Sequence, residues 1–235
     1  MKQYDAKGIM AFWTDIDDEN LLEVQKWHNC EHMTERVSIP GFIVGRRYRG
    51  VDNASTYFMS YETTDTDVLQ SEPYLHALNN STPWTKKALT YFNNNIRNIY
   101  FLVISEGKPV ATEAPYNYVI RFNIEAESEN DTREWITKTY LPEISALTDV
   151  YRCRLYQIDE EVSNIMTGER EIYGGGPGQQ KYLLVFELAS QYFPKEKDWQ
   201  QINDQHQDML GKFKDKYEEY SFLEFVMYAP SASDG

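Results

Sequence analysis

Cysteine is scarce in this chain of 235 residues: only Cys30 and Cys153 occur, and neither belongs to a Cys-x-x-Cys pair. That count excludes a disulfide framework and a cysteine-rich zinc site. Long apolar runs are also missing, since no stretch approaches the roughly 18 apolar residues of a membrane span. The first residues, Met1 to Asp5, lack the apolar core of a signal peptide. We therefore expect a cytoplasmic protein with no membrane partner.

Positive charge is the next deficit. The chain carries 23 Lys and Arg against 37 Asp and Glu, which gives a formal net charge of −14. Nucleic acids and anionic membranes bind clustered positive charge, so we do not expect nucleic acid as a partner. What the chain has instead is 41% hydrophobic residues and 18 tyrosines. This composition is typical of a packed globular protein, and tyrosines suit the walls of a cavity.

Apolar runs and turn residues predict the element order βαββαβ twice. The predicted strands are 9–13, 42–48, 57–61 and 99–104, then 118–124, 150–158, 181–188 and 222–228. The predicted helices are 19–37 with Asp18 as its cap, a region over 68–93 broken at Pro73 and Pro83, 131–146, and 199–217. The first half covers 1–106, a linker covers 107–115, and the second half covers 116–230. An insertion at about 159–180 ends in a glycine-rich segment, 174–178.

The two halves also share residues at matched positions. One constant offset places Trp27 on Trp135, Arg46 on Arg154 and Tyr48 on Tyr156. This agreement indicates internal duplication. A single βαββαβ sheet leaves one face bare, yet these strands are apolar on both sides, so each sheet needs a cover. We expect an α+β protein of two tandem ferredoxin-like repeats, with antiparallel sheets packed face to face as a fused dimeric α/β-barrel.

Alternation along the second strand assigns its side chains to two faces. Phe42, Val44, Arg46 and Tyr48 share one face, and Gly45 lies on the other, where a small residue suits a close-packed helix. Arg46, Tyr48, Arg154 and Tyr156 are then expected inside the barrel. A buried arginine needs either a carboxylate, such as Glu62 or Glu187, or an anionic ligand.

The densest polar cluster runs from Trp27 to Arg36. His28 and His32 are four residues apart and share a helical face. With Glu31 they fit H-x-x-E-H, a motif in which two histidines bind zinc and a glutamate activates water. A zinc hydrolase is one alternative, although no third ligand can be identified.

A wider pattern is similar to the EthD-like branch of the dimeric α/β-barrel (ferredoxin-like) superfamily. It comprises Trp27 to His32, Arg36, the Pro40-Gly41-Phe42 turn and Arg46 to Tyr48. In that branch a helical histidine precedes a Pro-Gly-aromatic turn, and His32 is the matching position. The second half departs from the pattern, because Tyr140 replaces the histidine. The resemblance implies a site in the first half only, and covers isomerases, cyclases, cofactor-independent monooxygenases and haem-handling enzymes.

These observations predict a cofactor-independent enzyme, an isomerase or lyase, acting on a small aromatic or lactone-like acid. His32 would transfer a proton, Glu31 or Glu35 would orient the imidazole, and Arg46 and Tyr48 would stabilise negative charge. Further candidates for substrate binding are His28, Arg36, Trp13, Trp84, His76, Arg154 and Tyr156. Alternatives are a cofactor-free monooxygenase in the same cavity and a non-catalytic binding or assembly protein. A homodimer is also possible.

Overall fold

A computed structural model describes residues 6–107 and 112–230, and its centre is a closed antiparallel barrel of eight strands. The strands are β1 Gly8–Asp15, β2 Phe42–Gly50, β3 Tyr57–Thr63, β4 Asn93–Gly107, β5 Tyr116–Ile124, β6 Val150–Ile158, β7 Tyr182–Leu188 and β8 Phe213–Tyr228. Around the barrel they follow the order β1-β3-β2-β8-β5-β7-β6-β4. The expected mixed α/β fold with a closed barrel is therefore confirmed. Part of the expected linker, 108–111, lies outside the described residues.

The strand order is the same in the two halves. The first four strands run β4-β1-β3-β2, and the last four run β8-β5-β7-β6. The halves join where β2 pairs with β8 and β4 pairs with β6. Each sheet thus continues into the other at both edges, and no strand of the barrel is left with an unpaired edge.

The helices cover the outside of the barrel. The first half contributes α1 Leu21–Trp27, a π-helical turn His28–His32, α2 Met33–Val37, α3 Glu72–Asn79 and α4 Pro83–Leu89. The second half contributes α5 Glu129–Trp135, a π-helical turn Ile136–Tyr140, α6 Leu141–Ser145, α7 Glu160–Asn164, α8 Gly168–Tyr173, α9 Lys197–Gln205 and α10 Gln207–Leu210. Among the described residues, no helix is long and apolar enough to cross a membrane.

Three sequence-based boundaries are wrong. Asp18 makes no cap to α1, because it lies in a separate 3₁₀ turn before the helix. Pro73 and Pro83 stand in the first turns of α3 and α4, where the missing N–H costs nothing, so they begin these helices instead of interrupting one. The predicted helix over 199–217 ends near Gly211, and β8 already begins at Phe213.

The inside of the barrel is packed and charged. Glu62 accepts hydrogen bonds from Arg46 Nη1 at 2.8 Å and from Arg154 Nη1 at 2.6 Å. Arg154 Nη2 also donates to Glu187 at 2.8 Å. All four side chains are nearly inaccessible to solvent. The carboxylate alternative for these arginines is thus the one observed, and Tyr48 and Tyr156 pack beside them inside the barrel.

The predicted orientation of one side chain on β2, that of Phe42, is wrong. The pairing of β2 with β3 shifts by one residue between Phe42 and Val44, which is a β-bulge. The bulge turns Phe42 outward, where its ring contacts Tyr61 and Tyr74 under the helices. Gly45 lies outward as expected: a Cβ at this position would stand 2.9 Å from the Tyr61 ring.

Candidate functional site

The candidate site is a cavity on the outer face of the first-half sheet, between β1, β3, β4 and the helices. The volume of the cavity is about 40 Å³, and it reaches about 430 Å³ only when the open solvent at its mouth is included. The lining is largely aromatic and apolar: Met10, Phe12, Trp27, Met59, Tyr61, Tyr74, Leu78, Leu89, Phe92 and Tyr173. Its polar members are His32, Arg36, Arg97 and Glu169. Few convergent polar groups in an apolar concavity are typical of a small-molecule site.

The π-helical turn His28–His32 sets the orientation of the two histidines. The turn adds one residue to the helix between α1 and α2 without interrupting it. The rings of His28 and His32 lie 5.7 Å apart and nearly parallel, and the His32 ring packs 4.4 Å from the Trp27 ring. Single π-turns inside α-helices occur frequently at functional sites.

His32 is a neutral imidazole at the wall of this cavity. Its side chain is only 8% exposed, and neither ring nitrogen has a hydrogen-bond partner among the described residues. Burial, followed by the nearby Arg36 and His28, lowers the pKa of His32 well below 6.5. His32 therefore carries a lone pair that is free to accept a proton from a bound molecule.

Arg36 ties the insertion to the first half. Its guanidinium Nη2 donates to Glu169 Oε1 at 2.5 Å, and Nη1 donates to Glu35 at 2.9 Å. Glu169 lies on α8 and also accepts from Ser81 at 3.1 Å. The inserted segment of the second half thus supplies a wall of the first-half cavity, together with Tyr173.

Arg97 is a buried cation without a carboxylate partner among the described residues. Its Nη2 donates to the Tyr74 hydroxyl at 3.2 Å, and its side chain is 7% exposed. With Arg36 and Glu169, the cavity wall then carries two positive charges and one negative charge. An arginine in this state favours an anionic oxygen in the cavity.

The sheet separates the residues predicted to act together. His32 and Arg36 line the outer cavity, whereas Arg46 and Tyr48 face the barrel interior. The interior also contains Arg154, Tyr156 and Trp13, whose indole stacks on Phe58 at 4.9 Å. The structure therefore brings only part of the predicted set to one place.

Three further predicted residues lie away from the cavity. Glu31 accepts hydrogen bonds from Thr82 and Thr85, which joins the π-turn to α4. Trp84 donates from Nε1 to Glu23 at 3.1 Å at the surface of the helical layer. His76 is exposed on α3.

His28 is placed behind His32 and is fully engaged. Its Nδ1 lies 3.0 Å from Arg47 Nη1, and its Nε2 lies 3.0 Å from the Tyr61 hydroxyl. Glu31 is likewise held by its two threonines, so two of the three side chains of the H-x-x-E-H motif are already engaged and only His32 is unpartnered among the described residues. Among the residues that the structure describes, no three His, Cys, Asp or Glu side chains converge as a metal site.

Sequence reasoning missed Arg97, Glu169, Tyr61, Tyr74 and Tyr173. Arg97 precedes the predicted start of the strand at 99, whereas β4 begins at Asn93. Glu169 and Tyr173 belong to the insertion, whose position over the other half no local pattern reveals.

Comparisons with known proteins place the fold. No protein-family model matches the chain, and no curated protein matches it in sequence. Among solved structures, it is similar to an anthrone oxidase-like protein at TM-score 0.62 and 7% identity, with 97% of this chain and 95% of that chain covered. A "putative monooxygenase" from Fusobacterium nucleatum matches at TM-score 0.60 and 11% identity, over 95% of both chains.

A third similar structure is a mutant chlorite dismutase from Candidatus Nitrospira defluvii. It matches at TM-score 0.56 and 11% identity, over 94% of this chain and 93% of that chain. The chain has the dimeric α/β-barrel fold. Identities this low establish the fold and leave the reaction to be argued from the site.

Proposed function

We propose that this protein is a small-molecule enzyme that moves a proton in the outer cavity of the first half, with His32 as the base. One observation carries the proposal: within residues 6–107 and 112–230, a buried neutral imidazole with no hydrogen-bond partner shares a cavity with a buried arginine that has no carboxylate partner. A base and a cation in one apolar cavity are what the formation of an enolate or phenolate requires.

The chemistry follows from the charges. His32 accepts a proton from an acidic C–H or O–H of the substrate, and the electron pair moves onto a substrate oxygen. Arg97 stabilises the resulting oxyanion, and the aromatic walls contact a flat ring. Return of the proton from His32 to another substrate atom completes an isomerisation, and this step needs no cofactor.

Phenylpyruvate, a flat 2-oxo acid with an enolisable carbon, tests this proposal. We expect the protein to accelerate exchange of its C3 hydrogens with deuterium in D₂O, followed by proton NMR. His32→Gln should reduce the enhancement about 100-fold or more. His76→Gln is the matched control, because His76 is exposed and outside the cavity, and it should leave exchange unchanged. Equal rates in wild type and His32→Gln would favour the non-catalytic binding alternative.

A cofactor-free oxygenation is the second candidate, and the aromatic lining of the cavity supports it. The same proton transfer would give an electron-rich anion that reacts directly with O₂. Two of the similar structures are named as an anthrone oxidase-like protein and a "putative monooxygenase". Anthrone is therefore a suitable probe, since its anion takes up one O₂ and yields anthraquinone and one water.

An oxygen electrode distinguishes the two candidates. Oxygen uptake with anthrone that depends on His32 would support the oxygenase. Exchange of phenylpyruvate hydrogens without uptake on anthrone would support the isomerase or lyase.

We also infer that the chain arose as a tandem repeat of ferredoxin-like units, related to the EthD-like branch. The shared strand order supports this, and so does the π-turn that recurs at the same offset, His28–His32 and Ile136–Tyr140. The active half would be 1–106 and the second half 116–230. Because one chain already closes the barrel, a homodimer is not needed to complete it; that state and a cytoplasmic location stay proposals from the sequence.

A further inference from the structure

A series of hydrogen bonds reaches the cavity from the side of β2 and β8 and ends at Tyr61. It begins at Glu224 on β8, whose carboxylate accepts from Arg47 Nε at 2.6 Å. Arg47 is almost completely buried, and its Nη1 points at His28 Nδ1 at 3.0 Å. His28 Nε2 then lies 3.0 Å from the hydroxyl of Tyr61, which lines the cavity.

The donor and the acceptor of each hydrogen bond in this series can be assigned. A guanidinium has donors and no acceptor, so Nδ1 of His28 has to accept from Arg47. The proton of the neutral imidazole is then on Nε2, which donates to the Tyr61 oxygen. Burial and the charge of Arg47 lower the pKa of His28 well below 6.5, in agreement with a neutral ring.

The hydroxyl hydrogen of Tyr61 is consequently left for another acceptor. The Tyr61 oxygen already receives the proton of His28, and among the described residues its own hydrogen has no acceptor. Burial raises the pKa of Tyr61, which keeps the hydroxyl protonated. Gly45 lets this ring lie against β2, because a Cβ there would stand 2.9 Å from Tyr61 Cε1.

The second half has no counterparts of His28, Arg47 and Tyr61. By the same offsets that align the strands, Ile136 replaces His28, Leu155 replaces Arg47 and Phe186 replaces Tyr61. The three polar residues therefore occur together, and only in the half that has the proposed site.

We propose that Tyr61 donates a hydrogen bond to the substrate oxygen that becomes negative, and that His28 and Arg47 are positioning residues that fix its direction. This inference rests on the proposed function, because it names the second stabiliser of the oxyanion that His32 would create. It predicts a substrate whose reacting oxygen accepts from a cation and from a neutral hydroxyl.

The first test reads the His28 tautomer and needs no ligand. We expect ¹⁵N NMR of the histidine-labelled protein to show His28 as the Nε2–H tautomer, with no titration through the ordinary histidine range. Tyr61→Phe should keep this tautomer, because Arg47 still donates to Nδ1. An Nδ1–H tautomer in the wild-type protein would overturn the inference, whatever the cavity binds.

The second test uses 4-nitrophenol, whose absorbance reports ionisation. We expect the protein to bind 4-nitrophenol as the phenolate, which shifts its absorbance to longer wavelength. Arg97→Gln should abolish this absorbance shift. Tyr61→Phe should weaken binding about 10-fold and reduce the shift. Arg97-dependent binding that is unchanged in Tyr61→Phe would overturn the role of Tyr61 alone. Absence of any Arg97-dependent phenolate binding would contradict the oxyanion site itself, and with it both proposals.

Discussion

The two halves of the barrel have the same strand order and the same π-turn, yet their outer layers differ in chemistry. In the first half, the space between sheet and helices contains His32, Arg36, Arg97 and Glu169. At the positions matched to His32 and Arg36 the second half has Tyr140 and Ile144, inside a continuous hydrophobic cluster. One layer is a packed core, and the other includes a cavity with buried charges.

The difference between the two outer layers shows that their buried charges, which are unfavourable for stability, are concentrated around the first-half cavity. Burying a charge is unfavourable unless it is paired, and apolar residues of similar volume are usually at least as stable. The second half shows that this architecture packs with uncharged residues at the positions of His32 and Arg36. The charges of the first half therefore indicate selection for something other than stability, which is the argument for a site there.

The largest expected effect concerns the barrel interior, which both halves build alike. Glu62→Gln removes the carboxylate between Arg46 and Arg154, so these two buried cations share one carboxylate fewer and keep only Glu113 and Glu187 as partners among the described residues. We expect a loss of about 3–5 kcal/mol in the free energy of unfolding, measured in urea. Glu127→Gln, at an exposed position, should change it by less than about 0.5 kcal/mol. A small effect of Glu62→Gln would mean that the network is not a shared structural element.

The next experiment replaces charged residues in the outer layer of the first half by the kind of residue found in the second half. Arg36→Ile installs the residue found at the matched position, Ile144, but leaves Glu169 buried with Ser81 as its remaining partner. We expect this single change to cost about 3 kcal/mol. The double variant Arg36→Ile/Glu169→Leu should recover most of that loss, because an apolar pair replaces the ion pair. Additive losses in urea unfolding would contradict the equivalence of the two layers.

The third prediction uses pH. The pKa values of His28 and His32 are lowered in the folded protein by burial, so both rings are neutral there. Below about pH 6.5 the unfolded chain takes up protons that the folded chain does not, and stability falls as pH decreases. The expected slope is about 1.4 kcal/mol per pH unit for each histidine. The carboxylates Glu62 and Glu187, with lowered pKa values, affect stability only at more acidic pH.

Replacing both histidines by their second-half counterparts should flatten this slope. We expect His28→Ile/His32→Tyr to be less stable at neutral pH, yet to lose little further stability between about pH 6.5 and pH 5. Urea unfolding at several pH values measures this. An unchanged slope would show that the rings are protonated in the folded protein, against the neutral base assigned to His32.

The barrel could be predicted from the sequence because its cause is local to each strand. Runs that are apolar on both faces, such as Tyr182–Leu188, need cover on both sides, and a second sheet supplies it. Element ends were predicted less well, as in β8, where charged residues over 214–219 obscure a strand that pairs with β5. Whether such a segment forms a strand depends on the strand that it pairs with, and not on its local composition.

The site could be predicted only in part, for a geometric reason. His32 and Arg36 lie on one helix, so their spacing brings them to the same cavity. Arg46 faces the other side of the sheet, and no sequence spacing reveals that the sheet lies between it and His32. Arg97 and Glu169 come from β4 and from the insertion, and only the closed fold brings them together.

The smallest expected effect concerns Gly45, which lies beneath the Tyr61 ring. Gly45→Ala would place a methyl group 2.9 Å from Tyr61 Cε1 and 3.1 Å from Met33 Cγ. Both are side-chain atoms that can shift, so we expect a loss of only about 1 kcal/mol in urea unfolding. At the matched position of the second half, Cys153→Ala makes the layer looser instead of tighter, with a loss of similar size.

The two variants should differ at His28. Displacement of the Tyr61 ring in Gly45→Ala should lengthen its hydrogen bond to His28 Nε2 and move the ¹⁵N signal of that nitrogen, whereas Cys153→Ala should leave the signal in place. If both variants leave it unchanged, Gly45 serves packing alone, as its counterpart does. If only Gly45→Ala moves the signal, the glycine helps to hold the Tyr61 hydroxyl against His28. The two layers then differ in function at this position as well, because Cys153 has no such role.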